Sequence, residues 1–360
     1  MRRFELVSGT SNKYWEISQS GTEVTVHFGR IGSDGQTQTK DYGAWDEAAE
    51  RVRKLVAEKL REGYVEVEGS GSPAQELPGF RQPPALPHQE LPLLPDDGPL
   101  AVGDVQLPVG RRLRGDPQYA PHRVAAIDQP VIWATNDVVD MAGRTLYWLR
   151  REAAALNLVP VLLGGLDDDP RRPWDSGEFC PTDARRATLI DVAAELANGW
   201  RAATEGQDPE DEEVLAPVRP FGKTFPGLAS QATSLRDIRG DGDVLDQIRS
   251  RRVALVAAER PADIVAAVGW MGAVNVHDDP AFLSAVLRSW EVRWYARVVE
   301  IGFATLTLAA GNPPRDEKTA LAVAAEHFAF CPDNVWQEVG TIEAYARLLL
   351  GSRTWRFWWD

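Results

Sequence analysis

The sequence lacks the features that mark several large classes of protein. Its two cysteines, Cys180 and Cys331, lie far apart without a CxxC partner, which argues against a disulfide scaffold and a cysteine zinc site. No apolar run approaches the ~18–20 residues needed to cross a bilayer. No apolar stretch follows the first residues, so we expect no secretory signal. We therefore expect a cytoplasmic protein with no membrane partner.

Positive charge is also scarce. The chain holds 39 Lys and Arg against 53 Asp and Glu, a net charge of −14, which argues against non-specific DNA coating by the whole chain. Residues 1–70 hold 10 basic and 12 acidic side chains, a balance of −2, so the remainder carries −12. Any contact with nucleic acid must therefore rest on a local patch. We expect modest affinity that falls with salt along a shallow slope.

Familiar catalytic motifs are missing as well. The Gly-x-Ser-x-Gly, His-Glu-x-x-His, Walker and dinucleotide-binding glycine patterns do not occur. No repeat recurs at a fixed period. We therefore assign no catalytic residue, no cofactor and no metal ligand, and we lean against an enzyme.

The most informative stretch that is present is residues 24–36, VTVHFGRIGSDGQ. Apolar and polar residues alternate up to Phe28, a pattern typical of a half-buried strand. Arg30 follows, and the Asp-Gly pair at residues 34–35 is a hairpin-type turn signal. The pattern predicts a rigid ribbon that presents a guanidinium and an aromatic ring beside a turn, which suits a phosphate-bearing partner.

The ribbon itself contains GRIG (residues 29–32), and two further segments accompany it: residues 13–17 (KYWEI) and a helical stripe that ends near residues 63–64. On these motifs, residues 2–67 resemble a WGR domain, a small module named for a Trp-Gly-Arg triplet and found in poly(ADP-ribose) polymerases and many bacterial proteins. Phe28 stands in place of the tryptophan; it can stack but lacks the indole N–H donor. The resemblance implies nucleic-acid contact, for which the candidate residues are Arg30, Phe28, Lys13, Lys40 and Gly29.

Internal pairing is the alternative for this arginine. In a small domain, Arg30 could form an ion pair with Glu16 or Asp41 and have no external partner. A basic patch is weak support for nucleic-acid binding, so the structure has to decide between the two.

The composition divides the chain into three parts. Residues 1–68 predict an α+β module, a small antiparallel sheet with one helix. Nine of the 25 prolines lie in residues 69–110, so we interpret residues 69–109 as a linker. Residues 110–360 predict a mixed α/β domain. In it, Pro160 indicates an edge or bulged strand, residues 297–301 and 305–309 a hairpin, and residues 355–359 a central strand covered on both faces.

The third part carries four distinctive segments: LLGGLDDDPRRPWDSGE (162–178), LSAVLRSWE (283–291), ALAVAAEHFAFCPDN (320–334) and WRFWWD (355–360). On these segments, residues from about 110 to 360 resemble a bacterial domain of unknown function, DUF4253. The family brings no established activity, so the resemblance implies a domain and no reaction.

The loop at residues 164–181 is long for a compact domain, and long ordered loops are often functional. The alternative is that its acidic residues form turns by capping their own backbone. Cys331 lies near His327, yet a cysteine in this apolar run is more typical of a buried thiol than of a nucleophile. The candidate residues of a C-terminal pocket are Asp167, Asp168, Trp174, Asp175, Glu178, Asp333 and Asn334.

Two functional hypotheses follow. The first is a non-enzymatic bacterial adaptor, in which the WGR-like module contacts nucleic acid and the acidic C-terminal domain binds another partner. The second is a protein-binding or immunity-type module, in which the acidic domain binds a basic protein and the WGR-like part is a docking platform. An uncharacterised enzyme with an acid–base pair in the loop ranks last.

Overall fold

The computed structural model describes residues 2–8, 11–20, 22–30, 36–43, 48, 51–52, 54–56, 59, 64–66, 92–119, 129–166, 169–204, 216–230, 240–277 and 279–359. The chain divides into two compact units, Met1–Pro83 and Pro84–Asp360. In the part of the chain so described, no helix has the length and apolar character needed to cross a membrane.

The first unit is a small antiparallel sheet with one helix, as the sequence predicts. Alternation puts Phe4, Trp15 and Ile17 on one face, where they form a core with the helical residues Ala48 and Val56. The strand order is β4-β3-β2-β1-β5. We call the helix α1; its described residues are 48, 51–52, 54–56 and 59. The strands are β1 (Arg2–Ser8), β2 (Ser11–Ser20), β3 (Glu23–Arg30), β4 (Gln36–Asp41) and β5 (Val65–Glu66).

The second unit is built on an eight-stranded mixed sheet, which confirms the predicted α/β class. Its order is β13-β12-β11-β9-β10-β8-β7-β6. The β9–β11 pair is parallel, whereas the other paired neighbours are antiparallel. The strands are β6 (Gly98–Val102), β7 (Val105–Leu113), β8 (Ile132–Thr135), β9 (Val159–Leu163), β10 (Arg252–Val256), β11 (Ala296–Ile301), β12 (Thr305–Ala310) and β13 (Thr354–Trp358).

Helices connect and cover these strands. Side-chain oxygens begin three of the longer ones: Asp279 accepts from Ala281 N, Asp316 from Thr319 N, and Thr341 from Ala344 N. The α-helices are α2 (Ala142–Glu152), α3 (Val192–Thr204), α4 (Gly242–Leu245), α5 (Ile264–Val268), α6 (Pro280–Trp294), α7 (Glu317–Phe330), α8 (Asp333–Trp336) and α9 (Ile342–Leu349). Short 3-10 helices span Ala153–Leu156, Ala184–Leu189, Ala216–Val218 and Pro261–Asp263.

The central strands are buried on both faces. In β10, Ala254 and Val256 pack into one hydrophobic core, while Val253 and Leu255 pack into a second core that includes residues of α2. The sequences of the central strands are unbroken apolar runs because both faces of these strands are shielded from solvent.

The structure places residues 98–102 and 105–109 in strands, whereas the sequence analysis assigned them to the linker. The prolines are tolerated because of where they lie. Pro99 is in β6, the edge strand, next to a shift in register between Gly98 and Leu100. Pro108 lies in the same irregularity, between Leu107 and Gly110, which are opposite Leu100 and Gly98 of β6. Edges and irregularities are the positions at which a sheet accepts a residue without an N–H donor.

Two other strands also differ in position from the sequence analysis. β9 lies in the centre of the sheet despite Pro160, because its parallel ladder to β11 begins only at Leu162. β13 lies at the edge, and Arg356 on its outer face is exposed. The hairpin of β11 and β12 is confirmed.

Candidate nucleic-acid interface

The strand register places Arg30 opposite Lys13. The two residues are Cα partners at the end of the β2–β3 ladder. Because positions along a strand alternate between faces, both lie on the face that carries Trp15 and Phe28. Lys13 is exposed. The end of this ladder therefore brings two cationic residues together.

The same register separates Arg30 from the two carboxylates that could neutralise it internally. Glu16 is opposite His27 and so lies on the other face of the sheet. Asp41 is opposite Glu23, which is about 23 Å from Arg30 along β3 at ~3.3 Å per residue. The register thus places neither Glu16 nor Asp41 next to the backbone of Arg30.

The remaining candidates of this unit are more dispersed. Phe28 is half-buried, because its ring packs against the core of the first unit. Gly29 is opposite Tyr14, on the other face from Phe28. Lys40 is exposed on the edge strand β4, with Nζ 5.0 Å from the ring centroid of Tyr42.

Distance sets Lys40 apart from the cationic pair at the ladder end. It is opposite Val24, which is about 20 Å from Arg30 along β3. The turn at residues 31–35, which carries the Asp-Gly signal, lies outside the described residues.

The sheet face opposite α1 carries a polar network that the sequence analysis missed. Glu16 is buried and accepts from Arg3 Nη1 at 2.8 Å and from His27 Nδ1 at 2.8 Å. The Tyr14 hydroxyl lies 3.0 Å from His27 Nε2. Burial by itself would raise the pKa of Glu16, but the hydrogen bonds from His27 and Arg3 outweigh it, so that pKa is lowered. The Glu16 carboxylate therefore already has hydrogen-bond donors, Arg3 and His27, on its own face of the sheet.

In the second unit, Asp175 of the long loop lies between two guanidinium groups. Its Oδ1 accepts from Arg252 Nη1 at 2.8 Å, and its Oδ2 lies 3.0 Å from Arg111 Nη2. Arg252 is 3% exposed and also donates from Nε to the carbonyl of Thr135 at 2.6 Å. Asp175 thus attaches the loop to the sheet at the strand ends where β8 finishes and β10 begins.

Glu178 is paired in the same way. It accepts from Arg172 Nε at 2.6 Å and Nη2 at 2.9 Å, and Ser176 Oγ donates to it at 2.6 Å. The hydrogen bond from Arg172 lowers the pKa of Glu178, against a smaller effect of burial. The carboxyl group is therefore ionised near neutral pH, which does not suit a general acid.

The remaining features of the loop are structural. Trp174 is buried and donates from Nε1 to the carbonyl of Gly164 at 2.6 Å. A Cβ at Gly165 would overlap the backbone of Pro170, so this glycine permits a tight turn. Asp169 Oδ1 accepts from Arg171 N at 3.2 Å, which is the self-capping turn that the sequence offered as the alternative. Asp167 and Asp168 lie outside the described residues.

Asn334 and Asp333 lie at the junction of α7, α8, α9 and β13. Asn334 Nδ2 donates to the hydroxyl of Tyr345 at 2.8 Å and to the carbonyl of Arg356 at 2.6 Å. Asp333 Oδ1 accepts from Gln337 Nε2 at 2.9 Å. These bonds join neighbouring elements of the fold and hold the asparagine inside the core.

Cys331 is buried, as the sequence predicts. Burial raises the pKa of its thiol to about 12, so the thiol stays protonated at neutral pH. His327 is also buried, and burial lowers its pKa well below the ordinary value, which keeps the ring neutral. Within the described residues, no group of three or more His, Cys, Asp and Glu side chains could hold a metal ion.

The contacts that connect the loop to the Cys331–Asn334 region run through aromatic rings. Phe179 pairs with Trp270 in a backbone bridge, and the Trp270 and Trp359 ring centroids are 5.3 Å apart. The ring centroids of Phe330 and Trp359 are 5.5 Å apart. The structure thus joins the two groups of pocket candidates through packed aromatic side chains.

Comparison with known families and proteins fits this division of the molecule. Residues 1–71 match the WGR domain, and residues 252–360 match the domain of unknown function DUF4253. The chain carries a WGR domain and a DUF4253 domain. Segment 162–178 and helix α2 lie outside both matched ranges.

Three relatives were found, each over a short part of its length. Protein YehF of Escherichia coli K12 is 36% identical over 81 residues, 22% of this chain and 30% of that protein. The uncharacterized protein YfeS of the same strain is 35% identical over 65 residues, 18% of this chain and 27% of that protein. A crystal structure of a Bacteroides fragilis protein is 44% identical over 18% of this chain and 19% of its own, with a TM-score of 0.18. The chain thus spans less than a third of each relative.

The partners of the loop carboxylates are the residues that sequence reasoning missed. Asp175 is 77 positions from Arg252, and Arg111 belongs to a different strand again. The only sequence signal was a basic run, residues 249–252, directly before an apolar strand. In the WGR domain, the alternation of Tyr14 and Glu16 with core residues predicts their face, but the pairing of Glu16 with Arg3 and His27 depends on strand register.

Proposed function

We propose that the WGR domain contacts nucleic acid at the end of the β2–β3 ladder. Arg30 and Lys13 would contact phosphates, and the solvent-facing part of Phe28 would pack against a sugar or base. The observation that supports this proposal is the register, which pairs the two cationic residues and keeps Glu16 and Asp41 away from them. Two adjacent cationic residues attract a phosphate more strongly than either residue would alone.

The other two candidates extend this contact. At Gly29 the absence of a side chain allows a strand backbone to come close to a ligand. Lys40, about 20 Å along β3, would meet a phosphate farther along a bound polynucleotide. With so few contacts the affinity is modest, and it falls as salt rises.

In the adaptor hypothesis, the acidic remainder of the chain binds a second partner. Residues 71–360 carry a net charge of −12, which favours a basic partner. We propose that this part binds a second macromolecule while the WGR domain contacts nucleic acid. The alternative is the protein-binding or immunity-type module, in which the WGR domain is a docking platform only.

Fluorescence anisotropy tests the nucleic-acid contact. Full-length protein would be titrated at low salt into labelled single-stranded, nicked and blunt oligonucleotides. Arg30→Ala is expected to weaken binding about tenfold, the effect of one lost charge-assisted contact of ~1.4 kcal/mol. Arg51→Ala is the matched control, because Arg51 is exposed on α1. Equal affinities of wild type and Arg30→Ala for all three probes would contradict the proposal.

Co-purification separates the two functional hypotheses. Affinity-purified protein would be recovered with and without nuclease treatment and analysed by mass spectrometry. Partners lost on nuclease treatment support the adaptor. A basic protein recovered in stoichiometric amount after nuclease treatment, together with no oligonucleotide binding, supports the protein-binding module.

A further inference from the structure

Helix α2 exposes a stripe of aromatic and cationic residues. Its buried side consists of Ala142, Gly143, Leu146 and Leu149. The opposite side presents Arg144, Tyr147, Trp148 and Arg151, which are spaced i, i+3, i+4 and i+7 and so lie on one face. We call these four residues the α2 stripe. It lies in the second unit and outside both matched domains.

Trp148 is unusual in its exposure. Nine of the twelve tryptophans that the structure describes are buried, whereas 53% of Trp148 and 39% of Tyr147 face solvent. The two rings contact each other edge to face, with centroids 5.3 Å apart at 84°. Arg151 Cζ lies 5.9 Å from the Trp148 ring centroid. The indole is therefore supported by its neighbours, so little rotamer freedom is lost when a flat ligand stacks on it.

The arginines of the stripe differ from most others in this unit. Arg144 and Arg151, and also Arg249, have no carboxylate partner among the residues that the structure describes. Arg249 lies near the start of α2, because its carbonyl accepts from Ala142 N at 2.7 Å. By contrast Arg150, on the packed side of the same helix, pairs with Asp241 and donates to the carbonyl of Val298 at 2.7 Å.

Several acidic residues near the stripe have other partners: on the neighbouring α4 segment, Asp241 pairs with Arg150 and Asp243 with Arg353. The sequence from Ala142 to Arg151 contains no acidic residue. The carboxyl group of Glu152 lies against Gly103 in the turn between β6 and β7. Asp140 accepts from Ser250 Oγ at 3.3 Å. The stripe is thus a local cationic surface on a chain whose net charge is −14.

We propose that the α2 stripe binds single-stranded nucleic acid, with a base stacked on Trp148 and flanking phosphates on Arg144 and Arg151. Helix geometry sets the Cα atoms of the two arginines about 10 Å apart along the axis, on either side of the indole. Aromatic platforms flanked by cations are how proteins bind single strands without sequence preference. An acidic peptide would occupy the guanidinium groups but would leave the exposed indole without a partner. This contact goes beyond the one proposed for the WGR domain and does not depend on it.

Anisotropy with a labelled oligothymidine tests the stripe in the full-length chain. Trp148→Ala is expected to weaken binding roughly 5- to 100-fold, the range for one lost base stack. Trp148→Phe is expected to recover most of that loss. The matched controls are Trp336→Ala and Arg347→Glu, which alter exposed residues elsewhere in the same unit. Both are expected to bind like wild type.

A salt series tests the arginines separately. For Arg144→Gln combined with Arg151→Gln, the slope of log K against log salt is expected to become shallower by about 1.4, or ~0.7 for each phosphate contact on a single strand. The Arg30→Ala protein is measured in parallel, so that the α2-stripe proposal and the WGR-domain proposal can each be contradicted without the other. Wild-type affinity in Trp148→Ala, with unchanged circular dichroism, would overturn the inference. Equal displacement of oligothymidine by poly-glutamate would also overturn it, since charge alone would then explain binding.

Discussion

The end of the β2–β3 ladder and the 164–181 loop use arginine in opposite ways. In the loop, Asp175 is shared by Arg252 and Arg111, and Glu178 is held by Arg172. At the ladder end, Lys13 is opposite Arg30, and the nearest candidate carboxylates lie on the other face or at the far end of the strand. The loop carboxylates are paired with arginines, whereas the register of the ladder end puts two cationic positions opposite each other.

This difference bears on which charged residues can act on other molecules. A guanidinium that already holds a carboxylate would have to exchange one partner for another, and the gain from a phosphate would be small. A cation beside another cation repels its neighbour until an anion arrives, so binding relieves an existing cost. Charge clusters in the sequence are therefore poor guides to function until the pairing is known.

The largest expected effect tests the structural role of the loop pairs. Arg252→Ala should lower the free energy of unfolding by about 3 kcal/mol, because it leaves the partly buried Asp175 and the carbonyl of Thr135 without this donor. Urea unfolding of wild type and variant measures the change. Nucleic-acid affinity should stay the same.

Arg171→Ala is the matched control for that variant. Arg171 is 60% exposed and lies 3.3 Å from Asp137, which is itself mostly exposed, so its loss should cost less than about 1 kcal/mol. Similar destabilisation by the two substitutions would mean that burial does not distinguish the pairs of this loop.

A smaller effect concerns the ring next to Arg30. Phe28→Trp should tighten oligonucleotide binding two- to fivefold, roughly 0.5–1 kcal/mol, because the indole adds stacking area and an N–H donor. Phe28→Leu should weaken binding while it preserves most of the packing against the core. If all three proteins bind equally, the ring has no part in the interface.

The smallest effect is the pH dependence of one loop pair. The pKa of Glu178 is lowered below its ordinary value of 4.5 in the folded protein, so its contribution is complete above about pH 4.5 and is lost as the pH falls through the lowered value. Glu178→Gln should therefore flatten the acid side of the stability profile by less than about 1 kcal/mol, since Arg172 is partly exposed. Unfolding by urea at a series of acid pH values gives both profiles. Parallel profiles would show that the pair contributes nothing.

Local pattern was enough to predict much of the fold. The alternation in residues 24–28 predicts β3, and the apolar stripe of residues 48–60 predicts the helix that packs on it. Proline misled the prediction of strand positions. A proline disrupts a sheet only where its missing N–H would have bonded to a neighbouring strand, and the sequence does not show where that is. Pro99 lies on an edge strand, and Pro160 lies where the parallel ladder of β9 has not yet begun.

The chemistry of the candidate sites was less predictable, for a different physical reason. The loop carboxylates suggested either a functional pocket or self-capping turns, and among the described residues Asp169 forms such a turn. Glu178 binds Arg172 of the same loop, whereas Asp175 binds Arg252 of β10, which is 77 positions away in the sequence. Long-range pairing depends on strand order, which no local pattern in this chain reveals.

The salt dependence of oligonucleotide binding tests the central claim most directly. Wild-type protein would be compared with Lys13→Gln/Arg30→Gln and with the loop variant Arg171→Gln/Arg172→Gln at several salt concentrations. We predict that the ladder-end variant reduces the slope of log K against log salt by about 1.4–1.8, the value for two phosphate contacts, and that the loop variant leaves it unchanged. Equal slopes for wild type and the ladder-end variant, or a reduced slope for the loop variant alone, would contradict the account.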